Sequence, residues 1–144
     1  MYIRKALPND SMLLATLASH MWDPDPSKLE PEFFRLTSSE QAACFLAYEQ
    51  DTPIGFSQCQ LRHDYVEGTE TSPVGYLEGV WVDDGYQRLG VARALVDACE
   101  HWARDMGCTE FASDRELDNT ASLAFHLALG FTEANRIICF TKKL

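Results

Sequence analysis

The order of periodicities along this chain predicts an α+β fold of α/β type, a central mixed β-sheet with helices on both faces. Two observations carry that reading. Residues 1–62 are rich in strand-period segments with short helical stretches between them, and residues 75–141 read as strand, helix, strand, helix, strand. A third observation bounds the architecture. At 144 residues, with hydrophobic residues at 46% and charged residues at 24%, the chain suits one domain over residues 1–144. A core at this length buries about 68–70% of the surface that the unfolded chain exposes.

The elements follow in order. Residues 2–6 (YIRKA) read as a first strand, and Pro8-Asn9-Asp10-Ser11 opens a helix. Leu13, Leu14, Leu17 and Met21 recur on one face of it. The run Trp22-Asp23-Pro24-Asp25-Pro26 ends it, and residues 31–38 form a second short helix. Residues 43–49 and 54–62 are two strands joined by the turn Gln50-Asp51-Thr52-Pro53. Residues 63–74 read as a loop and residues 75–83 (GYLEGVWVD) as a strand. In plain alternation, Tyr76, Glu78, Val80 and Val82 of that strand share one face. Residues 91–106 carry the strongest helical signal, with Val91, Ala94, Leu95, Ala98, Trp102 and Met106 on one face and Gly107 as C-terminal cap. Residues 109–113 make a short strand. Asp118 or Asn119 caps a helix through Leu129, and residues 131–141 (FTEANRIICFT) form the last strand. That apolar strand is an exposed edge unless something covers it, so a homodimer that pairs or exchanges it is expected.

Charge narrows the function. Acids outnumber bases 22 to 12, a net of −10, which argues against a nucleic-acid binder. Residues 10–84 hold 14 of the acids and only Lys28, Arg35 and Arg62 as bases, a local net of −11. That excess reads either as an ordinary solvated acidic surface or as a cleft that focuses its field on a cationic ligand. The five cysteines (Cys44, Cys59, Cys99, Cys108, Cys139) form no CxxC pair, and the four histidines fall into no metal-ligand spacing. A reducing, cytoplasmic setting and no metal site are expected. There is no apolar leader at the start and no run of membrane-spanning length, so no membrane partner is expected.

One segment carries phosphate chemistry. Gln87-Arg88-Leu89-Gly90-Val91-Ala92 joins a strand to a helix. The first turn of a helix has unpaired N–H groups at the positive end of its dipole. Gly90 and Ala92 let an anion approach, and Arg88 adds charge. The same residues could also form an ordinary strand–helix connection. The hexamer resembles the (Gln/Arg)-x-x-Gly-x-(Gly/Ala) acetyl-CoA motif of the GCN5-related N-acetyltransferase superfamily. Asn119, Phe125, His126, Gly130 and Phe131 resemble that superfamily's later pattern, with His126 where a tyrosine is common.

A closer resemblance, to the aminoglycoside 6′-N-acetyltransferases, runs through Ser72–Val82, Gly107–Asp114 and Ala128–Glu133, with Met21-Trp22 earlier. It implies acetyl-CoA as cosubstrate. Val80, Trp81 and Val82 would offer backbone groups to its pantetheine arm. Arg88, Leu89, Gly90, Val91, Ala92 and Arg93 would cradle its pyrophosphate, and Asn119 and His126 would lie against it. Trp22, Tyr65, Glu78 and Asp114 would line the aminoglycoside site. Asn135 stands where relatives often carry an acid, so its contact is weaker or absent. Chemistry independent of the resemblance agrees, because carboxylates give a polycation charge-assisted bonds and Glu78 lies within an apolar strand, where it needs a partner or a cleft.

Three functions follow from these readings. The first is direct acetyl transfer to the 6′-amine of an aminoglycoside, conferring resistance. Glu78 accepts the proton, Asp114 orients the amines, backbone N–H groups near Val80 polarise the carbonyl, and Tyr65 or His126 returns a proton to the thiolate. The alternatives are acetylation of another small polycation such as a polyamine, and a non-catalytic acetyl-CoA-binding module.

Overall fold

A computed structural model describes all of residues 1–144. Its sheet has five strands in the order β1-β2-β3-β4-β5: β1 (Tyr2–Lys5), β2 (Ala42–Glu49), β3 (Thr52–Arg62), β4 (Val74–Val82) and β5 (Phe111–Ser113). The first three pairings are antiparallel and the β4–β5 pairing is parallel, so the sheet is mixed as expected. Helices α1 (Ser11–Ala18) and α2 (Pro26–Thr37) cover one face; α3 (Val91–Asp105) covers the other, with α4 (Thr120–Ala128) beside it.

Each face has its own core. On the α1/α2 side Leu14, Leu17, Phe33 and Leu36 pack on Cys44, Leu46 and Phe56. On the α3 side Val91, Leu95, Val96 and Cys99 pack on Phe45, Ile54, Cys59, Leu77 and Val82. Leu95 is fully buried, and its carbonyl accepts from Ser57 Oγ at 3.1 Å. Replacing a buried leucine by alanine removes apolar contact and leaves a cavity. Leu95→Ala is expected to lower stability by about 2–5 kcal/mol, read in urea as a lower midpoint with an unchanged slope.

Three local expectations are corrected. The second helix begins at Pro26, not residue 31, because Pro26 occupies the first helical position, where its missing N–H costs nothing. Asp25 caps it by accepting from Ser27 N at 3.0 Å. The last strand, residues 131–141, does not form. Residues 132–144 make no backbone–backbone hydrogen bond within the chain. Ile137, Ile138 and Phe140 are exposed, and Cys139 is exposed rather than held in an apolar strand. The apolar pattern is there, but a strand needs an edge to pair with.

The third correction concerns β4. Gln58 pairs with Gly79 and Cys59 with Leu77, so Glu78 is an extra residue opposite β3. This bulge reverses the alternation. Below it Tyr76 faces the α1/α2 side and Leu77 the α3 side. Above it Gly79 and Trp81 face the α1/α2 side, while Val80 and Val82 pack under α3. Tyr76 and Glu78 therefore share a face, and Val80 and Val82 do not join them.

Candidate active site

The α1/α2 face of the lower halves of β3 and β4 forms a floor that carries Gln60 and Arg62 of β3, Tyr76 and Glu78 of β4, and Asp114 just after β5, with Val66 of the loop after β3 packed against the buried Tyr76. Glu78 Oε1 accepts from Gln60 Nε2 at 2.6 Å and from Arg62 Nη2 at 2.9 Å. Oε2 has no partner within the chain. The Arg62 guanidinium carbon lies 3.5 Å from the centre of the Tyr76 ring. Tyr76 Oη donates to Asp114 Oδ2 at 2.8 Å. Burial, with the bond to Asp114 adding to it, pushes the Tyr76 phenol above its ordinary value, so it stays a donor at neutral pH.

Trp22 walls the floor on the α1 side. It packs on Phe33 and Phe56 and lies directly over Gly79. A Cβ at Gly79 would come 2.7 Å from the indole, so glycine there is what lets Trp22 lie flat on the strand. Trp22 keeps 43% of its surface exposed.

The opposite side of the sheet edge offers groups of another kind. β5 pairs with β4 only over Gly75–Leu77. From Glu78 to Val82 that edge of β4 has no strand beside it, so its backbone groups are open to an extended ligand. At the top of β4, a 3₁₀ turn over Asp84–Tyr86 leads to Gln87–Gly90. Gln87 Nε2 donates to Val82 O and Asp84 Oδ1, holding the turn against the strand. Arg88 has φ +63° and Gly90 φ +81°. Gly90 starts α3, where no side chain caps the helix and no acid stands in the first turn. The N–H groups of Val91, Ala92 and Arg93 have no partner within the chain. A Cβ at Gly90 would meet nothing within 4 Å. The turn is thus an open cradle of donors at a positive helix end, which fits a pyrophosphate.

The remaining sequence-predicted residues fall in different places. The Arg93 guanidinium donates to Ala128 O at 2.8 Å, tying α3 to α4, so only its backbone N–H faces the cradle. Asn119 caps α4 through Oδ1, which accepts from Ser122 N at 3.0 Å. His126 is bonded on both ring nitrogens, Nδ1 to Ser122 O at 2.6 Å and Nε2 to Ser113 Oγ at 2.9 Å. Tyr65 stands out of the 63–73 loop, 76% exposed. Asn135 donates to Glu67 at 2.8 Å near the start of the tail, not to the cluster. Four cysteines are buried. Burial pushes the Cys44 thiol up to about 12 and raises Cys108 as well, and the hydrogen bond with Cys99 raises Cys59. None is poised as a nucleophile.

Sequence reasoning missed Gln60 and Arg62. The signal was present, since polar residues at 58, 60 and 62 give β3 one polar face over its last turns. Their partner is 16 to 18 residues away across a bulge, which alternation alone does not locate.

The fourth and fifth strands part beside a donor-lined helix start, an arrangement that suits an extended ligand with a pyrophosphate at one end. The chain belongs to the acetyltransferase (GNAT) family, whose profile it matches over residues 12–131. Among its relatives is the aminoglycoside N(6')-acetyltransferase type 1 of Stenotrophomonas maltophilia, 42% identical over 143 residues, covering 99% of this chain and 93% of the relative. The crystal structure of apo aminoglycoside 6'-N-acetyltransferase AAC(6')-IG from Acinetobacter haemolyticus superposes with a TM-score of 0.94 at 38% identity, covering 100% of this chain and 99% of that one. AAC(6')-Iy in complex with the bisubstrate analog CoA-S-monomethyl-acetylneamine superposes at 0.93 with 33% identity, covering 99% and 98%. The resemblance read from residues 87–92 and 119–131 is borne out. Acetyl-CoA is the cosubstrate of this family, and the Gln87–Arg93 cradle suits its pyrophosphate.

Proposed function

We propose that this chain transfers the acetyl group of acetyl-CoA to the 6′-amine of an aminoglycoside, conferring resistance, with both substrates bound together and residues 1–144 acting as one domain. One observation carries the reading. The Glu78 carboxylate stands at the point where β4 parts from β5, with Oε1 anchored by Gln60 and Arg62 and Oε2 unpartnered within the chain. The relatives' names and the bisubstrate complex of AAC(6')-Iy support the same assignment.

Acetyl-CoA, when bound, supplies a thioester carbon that an amine nitrogen can attack, releasing a thiol. The chain's residues do the rest. The Gln87–Arg93 turn holds the pyrophosphate, and the open edge of β4 from Glu78 to Val82 aligns the pantetheine arm. Backbone N–H groups near Val80 stabilise charge on the carbonyl oxygen. An ammonium has no lone pair, so Glu78 Oε2 accepts its proton, directly or through water. Asp114 and Trp22 orient the sugar rings, and much of the rate comes from that positioning. Tyr65 and Asn135 belong to the rim of the site.

Thiol release from acetyl-CoA, measured side by side with tobramycin, kanamycin, spermidine and no acceptor, tests this. Release with the aminoglycosides alone is expected, and mass and NMR of the product then place the acetyl group on the 6′ nitrogen. Release mainly with spermidine would transfer the reading to polyamine chemistry. Heat stabilisation by acetyl-CoA without release would leave a binding module.

The reading includes a cytoplasmic homodimer. Five free cysteines support the reducing setting. The exposed apolar tail Ile137–Phe140, which has no backbone partner in its own chain, supports exchange of that segment with a second copy. Light scattering at micromolar concentration is expected to give twice the chain mass, and a chain ending at Asn135 is expected to be monomeric. A full-length monomer would overturn the dimer.

A further inference from the structure

The acceptor floor holds a cation of its own. Arg62 lies in a stretch that is otherwise acidic, on the strand beside Glu78, and its charge is engaged within the chain. One side of its guanidinium lies on the Tyr76 ring at 3.5 Å, an attractive geometry for a cation over an aromatic face. Its Nη2 donates to Glu78 Oε1 at 2.9 Å. Tyr76 in turn is fixed by its bond to Asp114 at 2.8 Å. The result is one chain of contacts, Asp114 to Tyr76 to Arg62 to Glu78, with Gln60 closing on the same Oε1 at 2.6 Å. The two carboxylates that would meet a polycation are therefore joined through a resident guanidinium.

Two consequences follow from that geometry. Both bonds to Glu78 fall on Oε1, so that oxygen is held and Oε2 is the oxygen left free for an acceptor. The cluster Glu78, Asp114 and Arg62 carries a formal charge of −1, where the acids alone would carry −2. We infer that Arg62 is a positioning residue of the acceptor site, which holds Glu78 with Oε2 outward and, as a resident cation, limits how tightly the site grips a polycationic acceptor. This inference rests on the aminoglycoside reading above.

The test is steady-state kinetics of wild type, Arg62→Met and Arg62→Lys with tobramycin, with urea unfolding run on each. Methionine keeps a stem of similar length and removes the charge and the donor. A hydrogen bond to a charged group contributes about 1.5–3 kcal/mol, so loss of the anchor is expected to lower kcat by about tenfold or more. The KM for tobramycin is expected to fall, because the floor then carries one more uncompensated negative charge; a lower kcat with a lower KM marks relief of ground-state competition. Arg62→Lys is expected to return KM toward the wild-type value while kcat stays low, because an ammonium has no planar face to lie on the Tyr76 ring while it donates to Oε1. A purely structural role would lower the urea midpoint and raise KM, with no split between the variants. Wild-type kcat in Arg62→Met, a raised KM in it, or full recovery of kcat by lysine would each overturn the inference. If Arg62→Met fails to fold, the lysine variant decides, since it retains the cation and is expected to show the kcat loss alone. Wild type that releases no thiol with tobramycin would sink the aminoglycoside reading and this inference with it, an outcome distinct from active wild type with unaltered variants.

Discussion

Glu78→Gln is expected to cut acceptor-dependent thiol release by about 100-fold or more at neutral pH, the usual scale for losing a general base. The substitution is close to isosteric. An amide oxygen in the place of Oε1 still accepts from Gln60 and Arg62, so the floor keeps its shape. The amide nitrogen now stands where Oε2 was, and it cannot take a proton from an ammonium. The loss should therefore appear in kcat more than in the KM for acetyl-CoA, whose cradle lies at the start of α3. The pH dependence gives a second readout. As pH rises, more of the amine arrives already neutral and the base matters less, so the gap between variant and wild type should narrow on the alkaline side. Equal rates for the two proteins across pH 6–9 would exclude Glu78 as the proton acceptor.

Gly90→Val is expected to raise the KM for acetyl-CoA by about two orders of magnitude while leaving the KM for the acceptor nearly unchanged. Two effects add. Gly90 sits at φ +81°, where a side chain costs about 1–2 kcal/mol and a β-branched one more. A Cβ there meets nothing of the protein within 4 Å, so the new methyl groups project into the open cradle and displace whatever the donors of Val91, Ala92 and Arg93 would hold. The backbone cost appears as a lower urea midpoint. The displacement appears as lost thermal stabilisation by acetyl-CoA, which strain alone would not remove. Gly90→Ala should show most of the strain and less of the displacement. Retention of wild-type acetyl-CoA affinity in the valine variant would mean that the pyrophosphate is held elsewhere.

The parts of this molecule that repeat were the parts readable from its residues. The β2–β3 hairpin, α3 and β4 each show a period, and each appears within about two residues of its expected place. The phosphate cradle was readable because strand, turn and helix start are contiguous, and glycine at 90 has a single physical reason. What stayed hidden depends on events with no local signal. The bulge at Glu78 adds one residue to one side of a strand pair, and nothing in GYLEGVWVD marks which residue is the extra one. The start of α2 was hidden because Pro26 looks like a breaker, although proline is welcome at a first helical position. Arg62, Tyr76 and Asp114 meet across separations of 14 to 38 residues, set by strand register rather than by composition. Residues 131–141 carry a strand's pattern, but the strand needs a partner that this chain by itself does not provide.

The bulge in β4 has one more effect. It acts as a phase dislocation, splitting a single strand into two half-strands that answer to different neighbours. Below it, odd residues serve the core under α3; above it, even residues do. The acid sits at the fault between them. The upper half-strand can thus change Trp81, which stacks on His20 on the α1/α2 side, without moving Leu77 or Gly75, and the lower half can drift while Val80 and Val82 stay seated. Plain alternation with every residue kept would turn the upper half over, carrying Trp81 into the α3 core and Val80 out to the floor, whereas deleting Gly79 would heal the dislocation with Val80 still opposite Ser57 and Trp81 still opposite Phe56. Acceptor preference in such a chain can therefore vary by substitution on either side of Glu78, but not by sliding the acid one place along the strand.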